Sequence, residues 1–206
     1  MSLDGFVAGP DQSVKNPLGK GGEKLHEWAV ALRQWQAAHG REGGETNESS
    51  AVMEESLTNI GATIMGRNMF GGHPGPWDPR APWKGWWGNN PPFHHPVFVL
   101  TNHARPPLLC EGGTTFTFVT DGIQAALEQA RQAAGGKDVA LAGGAKAAAQ
   151  YLRAGLVDEM EIHLVPFLLG SGARLFDGVG DDLHGLHLVR MVVAPGVTHL
   201  KLERRV

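Results

Sequence analysis

Short apolar runs closed by glycine alternate with stretches whose apolar residues recur every three or four positions, which predicts alternating strands and helices along most of the chain. The first such stripe is Leu25, Trp28, Ala29, Leu32 and Trp35, an amphipathic helix over residues 22–39. A polar, glycine-bearing break at 40–48 separates it from a second helix at 49–59, with Ser49 or Ser50 as N-cap and Gly61 as the stop. Residues 62–66 read as a strand. Runs at 97–101 and 115–120 read likewise and flank a proline- and glycine-bearing stretch at 105–113. A helix at 121–134, capped by Asp121, sets Ile123, Ala126, Leu127 and Ala130 on one face. A strand at 139–142 then leads through Gly143-Gly144 into an alanine-rich helix at 145–154, stopped by Gly155.

The tail changes character. Residues 158–165 alternate Met160, Ile162 and Leu164 against Glu159, Glu161 and His163, which predicts a strand with one wet face. Strands at 186–193 and 197–202 are joined by the hairpin signal Ala194-Pro195-Gly196. Residues 1–8 are short and end in the turn Gly9-Pro10-Asp11, so little regular structure is expected there. The order predicts an α/β fold: a mixed sheet flanked by helices, followed by an antiparallel C-terminal hairpin.

Residues 71–96 fit neither pattern, with seven prolines, Trp77, Trp83, Trp86, Trp87 and Phe93. Regular secondary structure is excluded by the prolines, and disorder by the aromatic content. A lid over a site, an arm at a subunit interface and plain surface packing all fit such a segment.

Composition narrows the partners. The 206 residues suit one domain spanning 1–206, and a formal charge of −3 gives no basic field for nucleic acid. Cys110 is the only cysteine, which excludes an internal disulfide or a cysteine-based zinc cluster and suggests a reducing compartment. It reads as a small core hydrophobe. No apolar run approaches membrane-spanning length and no signal-peptide pattern opens the chain, so a cytoplasmic protein without a membrane partner is expected. Among ten histidines, His94-His95 and His184-x-x-His187 invite a metal reading. Adjacent histidines point apart on a strand and no carboxylate spacing accompanies them, so no metal is expected.

The candidate chemistry lies in two glycine turns, Ala62-Thr63-Ile64-Met65-Gly66-Arg67 and Val139-Ala140-Leu141-Ala142-Gly143-Gly144-Ala145. Each runs from a strand into a helix start, where free N–H groups and a partial positive charge suit phosphate and glycine permits close approach. Two such turns can hold two ends of one dinucleotide, although any α/β protein also needs glycine at strand-to-helix turns. Neither matches G-x-G-x-x-G or the P-loop pattern.

Four segments in one order carry a resemblance: Ser2-Leu3-Asp4-Gly5-Phe6-Val7-Ala8-Gly9; Ile64-Met65-Gly66-Arg67-Asn68-Met69-Phe70; residues 139–145; and Leu156-Val157-Asp158-Glu159 continuing to Pro166-Phe167-Leu168-Leu169-Gly170-Ser171-Gly172 and Leu175-Phe176. Together they resemble the dihydrofolate reductase superfamily, and more closely its bacterial branch containing the reductase half of the riboflavin-biosynthesis deaminase–reductase. The resemblance implies a three-layer dihydrofolate-reductase-like fold, an NADPH-dependent reductase passing hydride to a small heterocyclic or imine-like substrate, and a homodimer. Gly66, Arg67 and Asn68 resemble the family's Gly-Arg turn, with the arginine near the adenosine 2′-phosphate, a role that suits a bidentate guanidinium. A surface salt bridge is the other reading of Arg67. Thr101 and Asn102 fall where the family binds adenosine; Gly143, Gly144 and Ala145 resemble the turn against the diphosphate, with Lys146 an additional cation.

Asp4, in the loop that borders the nicotinamide in relatives, is the candidate catalytic proton source, and also an ordinary turn residue before glycine. Glu54 and Glu55 are weaker candidates for the carboxylate of folate reductases, or simply charges on a helix face. Leu3, Phe167, Phe176 and Trp86 are the candidate substrate walls. The alternative function is a non-catalytic binder whose tryptophan loop closes over a flat aromatic ligand or drug.

Two departures qualify the resemblance. Relatives carry a strand before Ser-Leu-Asp-Gly, whereas Met1 stands immediately before Ser2, so the natural start is expected upstream or the fold destabilised. The threonine and aspartate-rich turn of the riboflavin reductases is replaced by Asn68-Met69-Phe70-Gly71-Gly72, which puts their phosphosugar substrate in doubt; the zinc deaminase signature is absent.

Overall fold

Ile60–Gly66 (β2) is buried along Ala62, Thr63, Ile64 and Met65, as a strand covered on both faces must be. It is one of three inner strands of a five-stranded sheet in the computed structural model, which describes residues 1–80, 82–180 and 183–205. The other strands are Pro96–Leu100 (β3), Leu108–Leu109 (β4), Thr115–Val119 (β5) and Asp138–Gly143 (β6), in the order β4-β5-β3-β2-β6. The β2–β3, β3–β5 and β2–β6 pairs are parallel and β4–β5 is antiparallel, so the sheet is mixed as expected.

Gly122–Ala134 (α5) packs on this sheet through Ala126, Leu127, Ala130 and Ala134, the three alanines letting its axis approach β2 and β3 closely. Asp121 occupies the N-cap position but makes no side-chain capping bond, and Gly135 closes the helix with a left-handed backbone. A core cluster of this unit holds Met65, Phe70, Val97, Val99, Phe116 and Phe118, with Trp77, Trp83 and Trp87 packed against it. Burying each such side chain contributes about 1.5–3 kcal/mol. Arg67–Phe70 (α4) follows β2, and Ala145–Arg153 (α6) follows β6. With residues 13–17, residues 59–148 form one compact unit.

The second unit comprises residues 1–12, 18–58 and 149–206. Its antiparallel sheet has the order β7-β10-β9, from Glu159–Leu164 (β7), Leu186–Ala194 (β9) and Val197–Arg204 (β10). The C-terminal hairpin is present, turned by Pro195-Gly196 with Gly196 at φ 73. A short strand, Phe6–Ala8 (β1), pairs with Ala173–Arg174 (β8), regular structure that the opening turn residues did not suggest.

The helix expected over 22–39 is three pieces: a 3₁₀ turn at Gly22–Leu25, then Glu27–Val30 (α1) and Arg33–Ala38 (α2). Leu32 is extended, at ψ 142, because Glu45 returns to take the neighbouring backbone groups, bonding Ala31 O at 2.8 Å and Arg33 N–H at 2.8 Å. Tertiary pairing overrides the local stripe. The following helix is Glu48–Leu57 (α3), capped by Asn47 in a reciprocal box with Ser50, rather than by Ser49 or Ser50 themselves. It ends at Thr58, before the expected stop at Gly61.

The wet face expected of β7 is also corrected. Glu161 and His163 lie under other elements: Arg190 reaches Glu161 at 3.4 Å, and His163 packs on Trp28 at 4.8 Å between ring centroids. His163 Nδ1 lies 2.7 Å from Nδ1 of His199, whose Nε2 lies 2.9 Å from Ser49 Oγ.

Candidate functional site at the ends of the parallel strands

From β2 the chain steps outward to β3 and β5, then crosses back through α5 to β6 on the other side of β2. This reversal is a topological switch point, where diverging connections leave a crevice at the carboxyl ends of the strands. The register puts the nominated residues at that end. Met65 pairs with Gly143, and Gly66 with Leu100, so the Gly66-Arg67-Asn68 turn, the Thr101-Asn102 pair and the Gly143-Gly144-Ala145 turn converge from three adjacent strands.

Gly143 has φ +98, a conformation that strains any side chain, and its peptide bond to Gly144 is cis. A Cβ added at either glycine would meet no protein atom within 4 Å. Open space therefore lies over a backbone that leads straight into the N-terminal end of α6, which carries backbone donors and a partial positive charge, with Gly144 O accepting from Ala147 N–H at 2.9 Å and Ala148 N–H at 3.1 Å. Donors in that setting fit a diphosphate. Lys146 is exposed on the same turn, Asn68 and Asn102 are exposed, and Thr101 is buried with its hydroxyl accepting from His103 N–H at 3.2 Å.

Arg67 does not stand as a surface salt bridge. Its Nη1 donates to Gly71 O, its Nη2 to His73 O at 2.9 Å, and its guanidinium carbon lies 3.4 Å from the Trp77 ring centroid. Burial, with Arg105 nearby, lowers its pKa to about 10.

The tryptophan-rich segment packs against its own unit. Trp83 Nε1 donates to Phe70 O and Trp86 Nε1 to Met69 O, both at 2.9 Å, so two indoles satisfy carbonyls at the end of α4. Trp77 Nε1 donates to His103 O at 2.7 Å, and Trp87 packs on Phe93 and Phe116. A Cβ at Gly71 would lie 2.4 Å from the Trp86 ring, so glycine is required for that indole to seat. Trp86 thus serves the packing of α4.

In the other unit, Asp4 organises a loop. Its carboxylate accepts from Ser2 Oγ at 2.6 Å, Leu169 N–H at 3.0 Å and Gly170 N–H at 2.7 Å. The Ser2 hydroxyl and these amides hold its pKa near 2, so it is ionised at neutral pH and has no proton to give. The geometry makes it a positioning carboxylate instead of the expected proton source. Because its folded pKa is depressed, its stabilisation is present above the ordinary carboxylate range and is lost as pH falls toward about 2. Asp4→Asn puts an amide donor against backbone donors and is expected to lower Tm by several degrees at pH 7; an unchanged melting curve would refute the positioning role.

Leu3 is exposed beside this loop, its N–H bonded to Phe167 O at 2.9 Å. Phe167 packs with Leu25, Val165, Ala194 and Val197, whereas Phe176 packs with Ala149, Leu152, Val179 and Leu186, so the two phenylalanines do not form one wall. Glu55 is a surface charge, bound by Arg190 at 2.5 Å and Lys201 at 2.9 Å. His94 and His95 diverge, to Gly112 O and to Thr63 Oγ1. Among the described residues no group of His, Cys, Asp and Glu could hold a metal, and no helix is long and apolar enough to cross a membrane. Sequence reasoning missed Arg105 and the buried His163–His199–Ser49 chain. A basic residue followed by Pro106-Pro107 just after a strand was the available signal for the first.

Fold and register define an α/β protein whose strand-end turns meet at a switch point of a mixed sheet. The chain belongs to the RibD C-terminal domain family, which it matches over residues 1–200. Similar solved structures include a candidate riboflavin biosynthesis protein of Shewanella sp. PV-4, at 21% identity and TM-score 0.59, covering 100% of this chain and 95% of that one. A diaminohydroxyphosphoribosylaminopyrimidine deaminase/5-amino-6-(5-phosphoribosylamino)uracil reductase of Thermotoga maritima matches at 12% identity and TM-score 0.53 over 99% of this chain. The chain spans 54% of that protein. RibD of Acinetobacter baumannii matches at 20% identity and TM-score 0.50, over 78% of this chain and 52% of that one. Among curated proteins none matches. The family and these likenesses establish a reductase-type fold.

Proposed function

We propose that this protein is an NADPH-dependent reductase that delivers hydride to a small heterocyclic or imine-like acceptor, of the kind handled by 5-amino-6-(5-phosphoribosylamino)uracil reductase or dihydrofolate reductase. The observation that carries the reading is the convergence of Gly66-Arg67, Thr101-Asn102 and Gly143-Gly144 at the carboxyl ends of β2, β3 and β6. When bound, the dinucleotide supplies the hydride. Gly143 and Gly144 leave its diphosphate room to reach the backbone, the first turn of α6 donates N–H groups to it, and Lys146 adds charge. Thr101 and Asn102 border the adenosine. Asp4 holds the 169–170 backbone of its own unit, beside Leu3 and Phe167. The protein acts in the cytoplasm as a homodimer of single dihydrofolate-reductase-like domains. The alternative, a binder closed by its tryptophan loop, gains nothing from indoles whose N–H groups are bonded to backbone carbonyls.

Fluorescence titration with NADPH and NADH, followed by turnover assays with dihydrofolate and a ribosylaminopyrimidine, tests the reading. NADPH binding with oxidation in the presence of one acceptor class is expected. Failure to bind either dinucleotide overturns the proposal; binding without turnover on any pterin, pyrimidine or imine favours the binder.

A further inference from the structure

Arg67 is the arginine the glycine turn nominates, yet its donors point into the protein. Both terminal nitrogens are held by carbonyls of the following loop, of Gly71 and His73, its face lies on Trp77, and its Nε is buried without a partner. An incoming phosphate would have to break those contacts to use it.

Arg105 stands on the same indole under different terms. Its guanidinium carbon lies 4.6 Å from the Trp77 centroid and 4.7 Å from that of Phe118, and Nη1 donates to Trp83 O at 2.8 Å. No further hydrogen bond of its guanidinium is formed among the described residues, and neither arginine makes an ion pair there. Pro106 restricts the backbone of Arg105 to extended conformations, and Trp77 anchors the loop through His103 O, so the side chain is presented from a fixed base. That base follows directly on Thr101-Asn102 at the end of β3. Two guanidinium groups on one ring, half-buried and without a carboxylate, make a site that is short of negative charge.

We infer that Arg105, rather than Arg67, reads the phosphomonoester that distinguishes NADPH from NADH, while Arg67 is a positioning residue that closes the 67–73 loop and shares the Trp77 platform. This rests on the NADPH reading above. The planar fork of Arg105 can meet a phosphate dianion with two parallel hydrogen bonds, an arrangement a lysine ammonium does not reproduce.

The test is titration of NADPH and NADH against the wild type, Arg105→Gln, Arg105→Lys and Arg67→Gln, with a melting curve for each. Arg105→Gln is expected to weaken NADPH binding roughly 10- to 100-fold and leave NADH unchanged. Arg105→Lys keeps the stem packing and the charge, and is expected to lose part of that preference at an unchanged Tm. Arg67→Gln is expected to lower Tm and weaken both dinucleotides together. An unchanged NADPH-to-NADH ratio in both Arg105 variants overturns the role of Arg105, as does a loss of ratio confined to Arg67→Gln. Absence of binding by the wild type overturns the parent reading instead.

Discussion

Stability is expected to fall as the pH drops from about 6.5 toward 4, the window in which the buried histidines would have to take up protons. The cause is the buried chain Ser49–His199–His163. His199 is 1% exposed, and the 2.7 Å contact between its Nδ1 and that of His163 requires one nitrogen to carry a proton and the other to be bare. Burial, with His199 beside it, lowers the His163 pKa to about 4, and burial lowers that of His199 as well. A histidine whose folded pKa is depressed is stable as the neutral ring, so its contribution is complete above the unfolded value and is lost as pH falls through the window between the two. A shift of that size corresponds to something on the order of 3 kcal/mol, a large share of a typical domain's margin. A second proton on the pair would also break the ring-to-ring contact. Asp4 and Glu55, both held near 2, lose their contribution as pH falls from the ordinary carboxylate range toward 2, so their window lies mostly below that of the histidines. His199→Ala leaves Ser49 and His163 without their buried partner and is expected to cost about 3 kcal/mol at pH 7. Urea unfolding at intervals between pH 8 and pH 4 measures both effects. A flat curve down to pH 4.5 would show that the chain is not buried and neutral as described.

That chain was not legible in the sequence, and the reason is geometric. Ser49 and His199 are 150 residues apart, and His163 shares with Glu159 and Glu161 what reads as a solvent face. Only the packing of α1 and α3 over that face turns a polar stripe into an interior one. The parallel strands were legible because both their faces are buried, so Ala62 to Met65 and Val97 to Val99 are continuous apolar or β-branched runs closed by a turn. The glycines at the strand ends were legible because each stands between an apolar run and a helix start, as Gly66 does after Met65 and Gly143 after Ala142. The expected helix at 22–39 failed where Glu45 pairs with residues 31–33, a contact that no local pattern announces. The orientation of Arg67 was equally hidden: an arginine after a turn glycine suits a phosphate, but the carbonyls of Gly71 and His73 that hold it exist only once the tryptophan loop has folded. Resemblance supplied the family and the kind of site; side-chain commitments had to come from the structure.

Gly144→Leu is expected to abolish dinucleotide binding while leaving the protein folded, and this separates the crevice from the scaffold more cleanly than any arginine variant. A Cβ at Gly144 would meet no protein atom within 4 Å, and the residue does not have the positive φ of Gly143. The leucine can therefore be accommodated by the protein alone, with Tm close to wild type. What it removes is the open volume over the backbone leading into α6, where the diphosphate is proposed to lie. An occupant that needs hydrogen-bond distance to those N–H groups would meet a branched side chain instead, and a loss of about 100-fold or more in affinity follows from forfeiting two or three such bonds to a charged group. Gly143→Leu is the control for backbone strain: at φ +98 it is expected to lose about 1–3 kcal/mol of stability as well as binding. Equilibrium titration with NADPH, alongside thermal melts of both variants, reads the two quantities separately. If Gly144→Leu binds NADPH as the wild type does, the diphosphate does not lie over this turn, and the two glycine turns are no more than the strand-to-helix junctions that any α/β sheet requires.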